Sequence, residues 1–540
     1  MPPLSSIQTL INCLFQRKGG GRLGWLIVLP FLILDGCMVG PDYVSPPTQS
    51  SPQWLDAGNS KIQSVDGRYR DWWKVFQDPV LDRLINKAYE QNLPLQVAGV
   101  RVMESRAQLG LSIGGLYPQS QQLLGSFQYN RVSNNSYQGS FAKYFDYQQA
   151  QLGPSISWEL DFWGQFRRAI ESSDFSLMAS IADYDNTLAT LVADVGSRYV
   201  ALRMTEKRLE IARSNAETER ESLNLAEIRF QGGTTSERDV EQARTVLAST
   251  QATIPTLESQ RRQLSNALSV LLGMPPGKIK ELTEQTGQIP VAPPYVAVGV
   301  PADLLRRRPD IRNAELKAVA QSAQIGVAES YLYPAFSLTG QFGVLSTNVG
   351  TTSLSDIYNW HSRFGNVGPT LSWNFLNYGQ ITNQVRVQDA RLQGLLIQYQ
   401  QAVLTAQREV EDNLVAFLKS GERAGLLAQS TEAAQRSLNL AMLQYRQGIT
   451  DFTTVLTAQQ ALLKQQDDLA ITLGDISSNL VGVYRALGGG WQIREGKDLL
   501  PPSVKMEMAK RTNWGDLLAP TTYPVPGKPE AKNPIRPPDW

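Results

Sequence analysis

One stretch of this 540-residue chain occurs twice. Gly153-Pro154-Ser155-Ile156-Ser157-Trp158-Glu159-Leu160-Asp161-Phe162-Trp163-Gly164-Gln165 returns as Gly368-Pro369-Thr370-Leu371-Ser372-Trp373-Asn374-Phe375-Leu376-Asn377-Tyr378-Gly379-Gln380, 215 positions on (153 to 368). Both copies alternate. Leu152, Pro154, Ile156, Trp158, Leu160 and Phe162 oppose Gly153, Ser155, Ser157, Glu159 and Asp161; Val367, Pro369, Leu371, Trp373 and Phe375 oppose Gly368, Thr370, Ser372 and Asn374. A period of two belongs to a strand. A polar face backed by an apolar face ending in aromatics suits a membrane β-barrel strand, with Trp158 and Trp373 toward lipid. It also suits a half-buried strand of a soluble sandwich, and alternation alone does not separate the two.

The repeat extends in both directions. Asp78 to Gln91 reads as a short helix with Leu81, Leu84, Ile85 and Ala88 on one face. A second helix, Leu95 to Leu116, stops at Tyr117-Pro118, and its counterpart after Pro309-Asp310-Ile311 stops at Tyr333-Pro334. A strand follows each Tyr-Pro, and polar loops (131–148 and 346–363) join it to the duplicated strand. Each half thus holds one hairpin of about ten-residue strands, the length that crosses a bilayer when tilted. Four such strands cannot close a barrel, and lipid tolerates no open sheet edge, so other chains must complete it.

Long helices follow. Leu177, Ile181, Tyr184, Leu188, Leu191, Val195, Tyr199 and Leu202 are spaced four and three apart, and Leu392, Leu396, Tyr399, Val403, Ala406, Val410, Leu414 and Phe417 repeat the ladder. This is a coiled-coil seam, although a soluble helical bundle shows the same spacing. From Gln165 to Gly232 a continuous helix would reach about 100 Å, several bilayers, without an uncharged apolar run. Such helices belong in water. Gly232-Gly233 ends the first and Gly448 the second, with Gly233 and Gly448 suited to the left-handed position that stops a helix. Returning helices run to about Leu272 and Leu487.

Chemistry is scarce. Lys+Arg is 51 against 50 Asp+Glu, which gives no basic patch and no argument for nucleic acid. His361 is the single histidine, and Cys13 and Cys37 both precede the folded body. Neither a catalytic site, a metal site nor a cofactor is expected: phosphate loops and His-Glu-x-x-His are absent. Gly488-Gly489-Gly490 reads as a helix stop, and Asp194, Glu409 and Glu411 as solvated helix faces.

Arg17, Lys18 and Arg22 precede the apolar run Leu23 to Leu34, too short to span a membrane and suited to a secretory signal. It ends in Leu34-Asp35-Gly36-Cys37, which resembles a bacterial lipoprotein lipobox and implies acylation of Cys37. Met38, rather than aspartate, follows and favours the outer membrane. Cys37-x-Val39-Gly40-Pro41-Asp42-Tyr43-x-x-Pro46-Pro47, together with Arg307-Arg308-Pro309-Asp310-Ile311, resembles the TolC-like outer-membrane efflux channels of the lipoprotein (NodT/OprM-type) subfamily. The likeness runs to about residue 490. The Arg-Arg-Pro-Asp string also reads simply as a helix start, with Pro309 and Asp310 in the first turn.

The resemblance implies an α+β membrane protein in which each chain gives four transmembrane strands and long coiled-coil helices. Three chains would form a twelve-stranded barrel and a twelve-helix periplasmic tunnel. It implies a homotrimer anchored in the outer membrane, working with a periplasmic adaptor and an inner-membrane transporter of the resistance–nodulation–division type. The exported cargo would be small molecules. The hairpin tips at Gly232, Gly233 and Gly448 would meet the adaptor. The family pattern Tyr-Arg-x-Gly, then apolar-Leu-x-Ala-Gln, reads here as Tyr445-Arg446-Gln447-Gly448 and Val455-Leu456-Thr457-Ala458-Gln459. Thr457 stands where many relatives carry aspartate. Asp451, Phe452, Thr453 and Thr457 are the expected periplasmic gate, with Phe452 and Thr453 as the constriction; helix capping by Thr450 or Asp451 is the other reading. Two further functions stay open: an exit duct for protein secretion, and a soluble periplasmic scaffold without a barrel. The expected organisation is a signal peptide (1–36), an acylated arm (37–77), a first repeat (78–274), a linker (275–300), a second repeat (301–487) and a Pro-rich tail (488–540) with little to bury.

Overall fold

The computed structural model describes residues 38–47, 51–63, 69–133, 135, 146–277, 279, 288–299, 301 and 307–523. Cys37 and the expected signal peptide, most of the loop after Arg131, and residues 524–540 lie outside these. In chain order come β1 (Ile62–Gln63), α1 (Pro79–Gln91), α2 (Leu93–Gly114), β2 (Ser120–Arg131), β3 (Asp146–Leu160), α3 (Gln165–Gln231), α4 (Glu237–Leu271), β4 (Val296–Ala297), α5 (Pro309–Ser330), β5 (Ala335–Thr347), β6 (Arg363–Ser372), α6 (Gln380–Arg446), α7 (Phe452–Ala486) and α8 (Pro502–Arg511). The duplication holds to the residue in the helix pairs. Both α3 and α6 have 67 residues and both α4 and α7 have 35, all displaced by the same 215 positions (165 to 380, 237 to 452).

The chain divides into two compact units. The first takes the residues up to Pro41, Gly114–Ala169 and Gln324–Arg386. Its body is an antiparallel sheet in the order β2-β3-β5-β6, so the two hairpins meet through β3 and β5. The strands are 12, 15, 13 and 10 residues long. Among the described residues, edges β2 and β6 have no strand paired on their outer side.

The second unit takes Asp42–Ile113, Ile170–Ala323 and Val387–Trp540. Asp78 starts α1 by accepting from the Val80 and Leu81 amides at 2.8 and 3.2 Å, with Pro79 at the first helical position. All eight seam residues of α3 are buried. In α6 the seam is buried from Tyr399 to Phe417, while Leu392 and Leu396 are half-buried. A short parallel ladder joins β1 to β4.

Two expectations fail here. The segment after Gly488 is not an arm with little to bury. Trp491, Ile493, Leu499, Leu500 and Met508 are buried, and Pro502–Arg511 is helical. The Arg494 guanidinium lies fully buried against both carboxylate oxygens of Asp185 on α3, and its Nη1 donates to the Tyr523 carbonyl at 2.7 Å. Apolar residues scattered among prolines show no period, so the packing was hidden from a pattern reading. Nor are Glu409 and Glu411 merely solvated. Glu409 accepts from Arg308 Nη1 at 2.8 Å, and Glu411 from the Leu55 amide at 3.0 Å. Arg308 also forks onto Asp310 at 3.0 and 2.7 Å and caps the Ala486 carbonyl at 3.0 Å, tying the start of α5 to α6 and the end of α7. The Arg-Arg-Pro-Asp string is therefore structural here.

Candidate channel face and hairpin gate

Pairing places the alternating residues on two faces of one sheet. Opposed residues share a face, and the register sets Leu123 beside Pro154, Ile156 beside Gly340, Trp158 beside Leu338, and Leu338 beside Pro369. One face therefore carries Leu123, Phe127, Leu152, Ile156, Leu338, Phe342, Val367 and Leu371 across all four strands. The other carries Gln122, Ser126, Gln151, Ser157, Thr339, Gln341 and Thr370. Among the described residues nothing covers the apolar face: Ile156 is 48% exposed, Phe127 65% and Val367 80%. A patch of this kind marks an interaction with lipid or another protein.

Trp158 lies on this face, two residues before the end of β3, and Trp373 just past the end of β6. Each indole N–H donates at 3.1 Å to the carbonyl preceding a Tyr-Pro turn, Leu116 for Trp158 and Leu332 for Trp373. The duplication thus repeats a hydrogen bond as well as a motif. Indoles at strand ends, with the ring on the apolar side and the N–H satisfied, suit an interfacial girdle rather than mid-strand lipid contact.

The hairpin tips belong to the second unit. Gly233 and Gly448 adopt φ +70° and +74°. Around them the amides of Gly233 and Thr234 return to the Phe230 and Arg229 carbonyls at 2.9 Å, and those of Gly448 and Ile449 to Tyr445 and Gln444 at 2.9 Å. These paired bonds form the glycine stop that ends each long helix. Gly232 is the residue before the left-handed position. Its φ is not positive.

Asp451 caps α7, accepting from the Thr454 amide at 3.0 Å and the Thr454 hydroxyl at 2.6 Å. The Thr454 hydroxyl, then its amide, hold the Asp451 carboxyl below the usual carboxylate range. Thr453 and Thr457 sit on the exposed face of α7, with the Thr457 hydroxyl donating to the Thr453 carbonyl at 2.8 Å. Phe452 does not join them. It is wholly buried, its ring centroid 5.0 Å from that of Tyr445, among Ala226, Val240, Leu438 and Val455. As the first residue of α7 its side chain turns inward to close the end of the four-helix core, so it is a core residue and not a constriction.

Sequence reasoning missed the contacts that join the two hairpins. On α3, Arg208, Asn215, Ser222 and Arg229 fall seven residues apart. Arg208 forks onto Asp467 at 2.7 and 3.0 Å, Asn215 donates to Gln466 at 2.7 Å, and Gln459 donates to the Ser222 hydroxyl at 2.7 Å. Arg229 donates to the Tyr445 carbonyl and lies over the Tyr445 ring at 4.5 Å. The signal was present as polar residues at heptad spacing. Among the described residues no group of acids, histidines or cysteines could hold a metal ion, and no helix is long and apolar enough to cross a membrane.

A sheet with one bare apolar face, set in a chain of long amphipathic hairpins, defines the class of outer-membrane channels with a barrel part and a helical part. Comparison agrees. The chain matches the family described as outer membrane efflux proteins over residues 84–274 and 300–489, one match for each repeat, and it belongs to that family. It is 30% identical over 474 residues to nodulation protein T of Rhizobium leguminosarum bv. trifolii, covering 85% of this chain and 96% of that one. It is 29% identical over 466 residues to the pyoverdine export outer membrane protein OpmQ of Pseudomonas aeruginosa, covering 85% and 95%. Among solved structures it superposes on the outer-membrane channel OprN with a TM-score of 0.77 at 32% identity, covering 84% of this chain and 100% of that one. The protein is an outer-membrane efflux channel that extends into the periplasm, and the soluble-scaffold reading falls.

Proposed function

We propose that this chain is the passive exit duct of a tripartite efflux assembly, with three copies forming a twelve-stranded barrel and a tunnel of twelve helices. One observation carries the reading: a four-stranded sheet that, among the described residues, has a continuous bare apolar face and two unpaired edges, β2 and β6. Lipid admits such a sheet only when its edges are closed, and symmetric copies of the same chain close them. The duct makes and breaks no bonds. A periplasmic adaptor docks at the tips around Gly232, Gly233 and Gly448, and an inner-membrane pump of the resistance–nodulation–division type selects the cargo. Relatives named for pyoverdine export and toluene efflux support small molecules as the cargo class.

The lipid anchor on Cys37 is part of this reading. The Val39 amide donates to the Trp163 carbonyl at 3.1 Å, and buried Arg168 clasps the Val39 and Gly40 carbonyls at 3.2 Å each. Met38 lies against Gly164 at the turn from β3 into α3. The gate is assigned to the exposed face of α7, Asp451, Thr453 and Thr457, meeting its copies on the three-fold axis. Reconstitution tests the whole: the purified protein should run as a heat-modifiable trimer, conduct in planar bilayers, and restore solvent or antibiotic resistance to a strain lacking it. A monomer that partitions into the soluble periplasm would refute it.

A further inference from the structure

Inside the first hairpin, α3 and α4 enclose a carboxyl that the duct does not use. Glu219 is 3% exposed. Its Oε1 accepts from the Thr250 hydroxyl on α4 at 3.0 Å, and its Oε2 is buried with no partner. One turn along α3, Ser222 holds the Nε2 of Gln459 on α7, and the Oε1 of Gln459 is likewise buried and unpaired. Two buried acceptors without a partner thus belong to side chains along one turn of α3, a polar layer in which nearly every buried polar atom should be satisfied. A proton on Glu219 supplies a donor to this layer, and its loss leaves a bare charge in it. Gln459 belongs to the helix that begins with Asp451, Thr453 and Thr457.

We propose that Glu219 is a proton-operated latch: protonated, it holds the α3–α4 pair closed and, through Ser222 and Gln459, holds α7 in place; ionised, it draws water into the layer and loosens both. Among the described residues no ion pair joins the acid, whose partner is the Thr250 hydroxyl. α4 presents Thr250 to the acid; one turn along, Ser222 meets Gln459 of α7 and Met442 of α6, whose sulfur lies 3.8 Å from the Ser222 hydroxyl. The charged pairs that flank it between α3 and α4, Arg213–Glu258 and Glu227–Arg244, are exposed and lie about 9 and 12 Å away along α3. Burial, opposed by the Thr250 hydroxyl, raises the acid from 4.5 to about 7. The sign follows from linkage. Water-exposed Glu219 ionises above 4.5 while the closed form keeps its proton to about 7, so closure is strongest in acid and weakens as pH rises, by up to tenfold per pH unit, then levels off.

Hydrogen exchange on the full-length solubilised channel, corrected for intrinsic rates, reads this directly. Peptides covering 213–227 and 246–254 should lose protection by up to tenfold per unit between pH 5 and about 7. Glu219→Gln, neutral at every pH, should abolish that dependence. Thr250→Val, which removes the hydroxyl favouring the ionised form, should shift the plateau to higher pH. Bilayer conductance of the wild type should rise over the same window and stay low in Glu219→Gln. Wild type and Glu219→Gln with the same profile, or a plateau unmoved by Thr250→Val, overturns the latch. PH-independent conductance despite the exchange response overturns its link to α7. The conductance arm rests on the duct reading: no conductance at any pH would count against the duct, and the exchange data would still judge the latch.

Discussion

Phe452 and Thr453 are neighbours with opposite fates. The turn at Gly448 sets where α7 starts, and that phase sends Phe452 into the core and Thr453 outward. Phe452→Ala should therefore act on stability, leaving a cavity at the tip and costing about 3–5 kcal/mol, visible as a lowered melting temperature. An unchanged melting point with a wider pore would return Phe452 to the gate. Thr457 tests the pore itself. Thr457→Asp adds a carboxylate to this face, and three copies on one axis should raise cation preference, measured as a shift in reversal potential under a salt gradient. A shift no larger than that from an exposed Glu422→Gln control would remove Thr457 from the lining.

At the scale of elements, the long helices are amphipathic seams joined by a few polar rungs. The glycine stops recur at every long-helix end, with Gly273 and Gly488 repeating the left-handed turn of Gly233 and Gly448. The segment after Gly488 then behaves as an element of the core. Its Trp491 ring lies 4.6 Å from the Arg312 guanidinium, and Arg312 donates to Asp185 at 3.1 Å. Arg494→Leu would take the bidentate partner from a buried carboxylate and should cost about 3–5 kcal/mol, read by denaturant unfolding of the full chain. A loss below about 1 kcal/mol, the range of exposed pairs, would mean that the tail is dispensable.

For the molecule as a whole, the decisive feature is which sheet face meets lipid. Val367→Arg lies mid-strand on the bare apolar face and should cost about 2–4 kcal/mol, seen as failed trimer assembly in the outer-membrane fraction. Thr370→Arg, on the polar face, should assemble. The reverse pattern would turn the sheet inside out. Arginine at Trp158, near the strand end, should cost less than at Val367, because interfaces tolerate charge better than the midplane. Cys37→Ser should abolish incorporation of labelled palmitate; equal labelling of wild type and variant would dismiss the anchor.

The division between what the chain spells out and what folding adds follows the range of the interactions. Alternation in Gly153–Phe162 and its copy, the seam from Leu177 to Leu202, and the stops at Gly233 and Gly448 are local periodic signals, repeated at a 215-residue offset (153 to 368). They specified strands, long helices, turns and the need for partner chains from the sequence alone. Tertiary structure decided the rest, because each remaining case depends on residues distant in sequence. Whether Phe452 lines a pore or fills a core depends on Tyr445 and Val240. Whether Gly488 begins a loose tail depends on Asp185, 309 residues from Arg494. Whether Glu219 is a solvated charge or a buried acid depends on Thr250 across a hairpin. Periodicity reports the face a residue occupies; the partner on that face, which sets its energy and its proton, is supplied only when the hairpins pack.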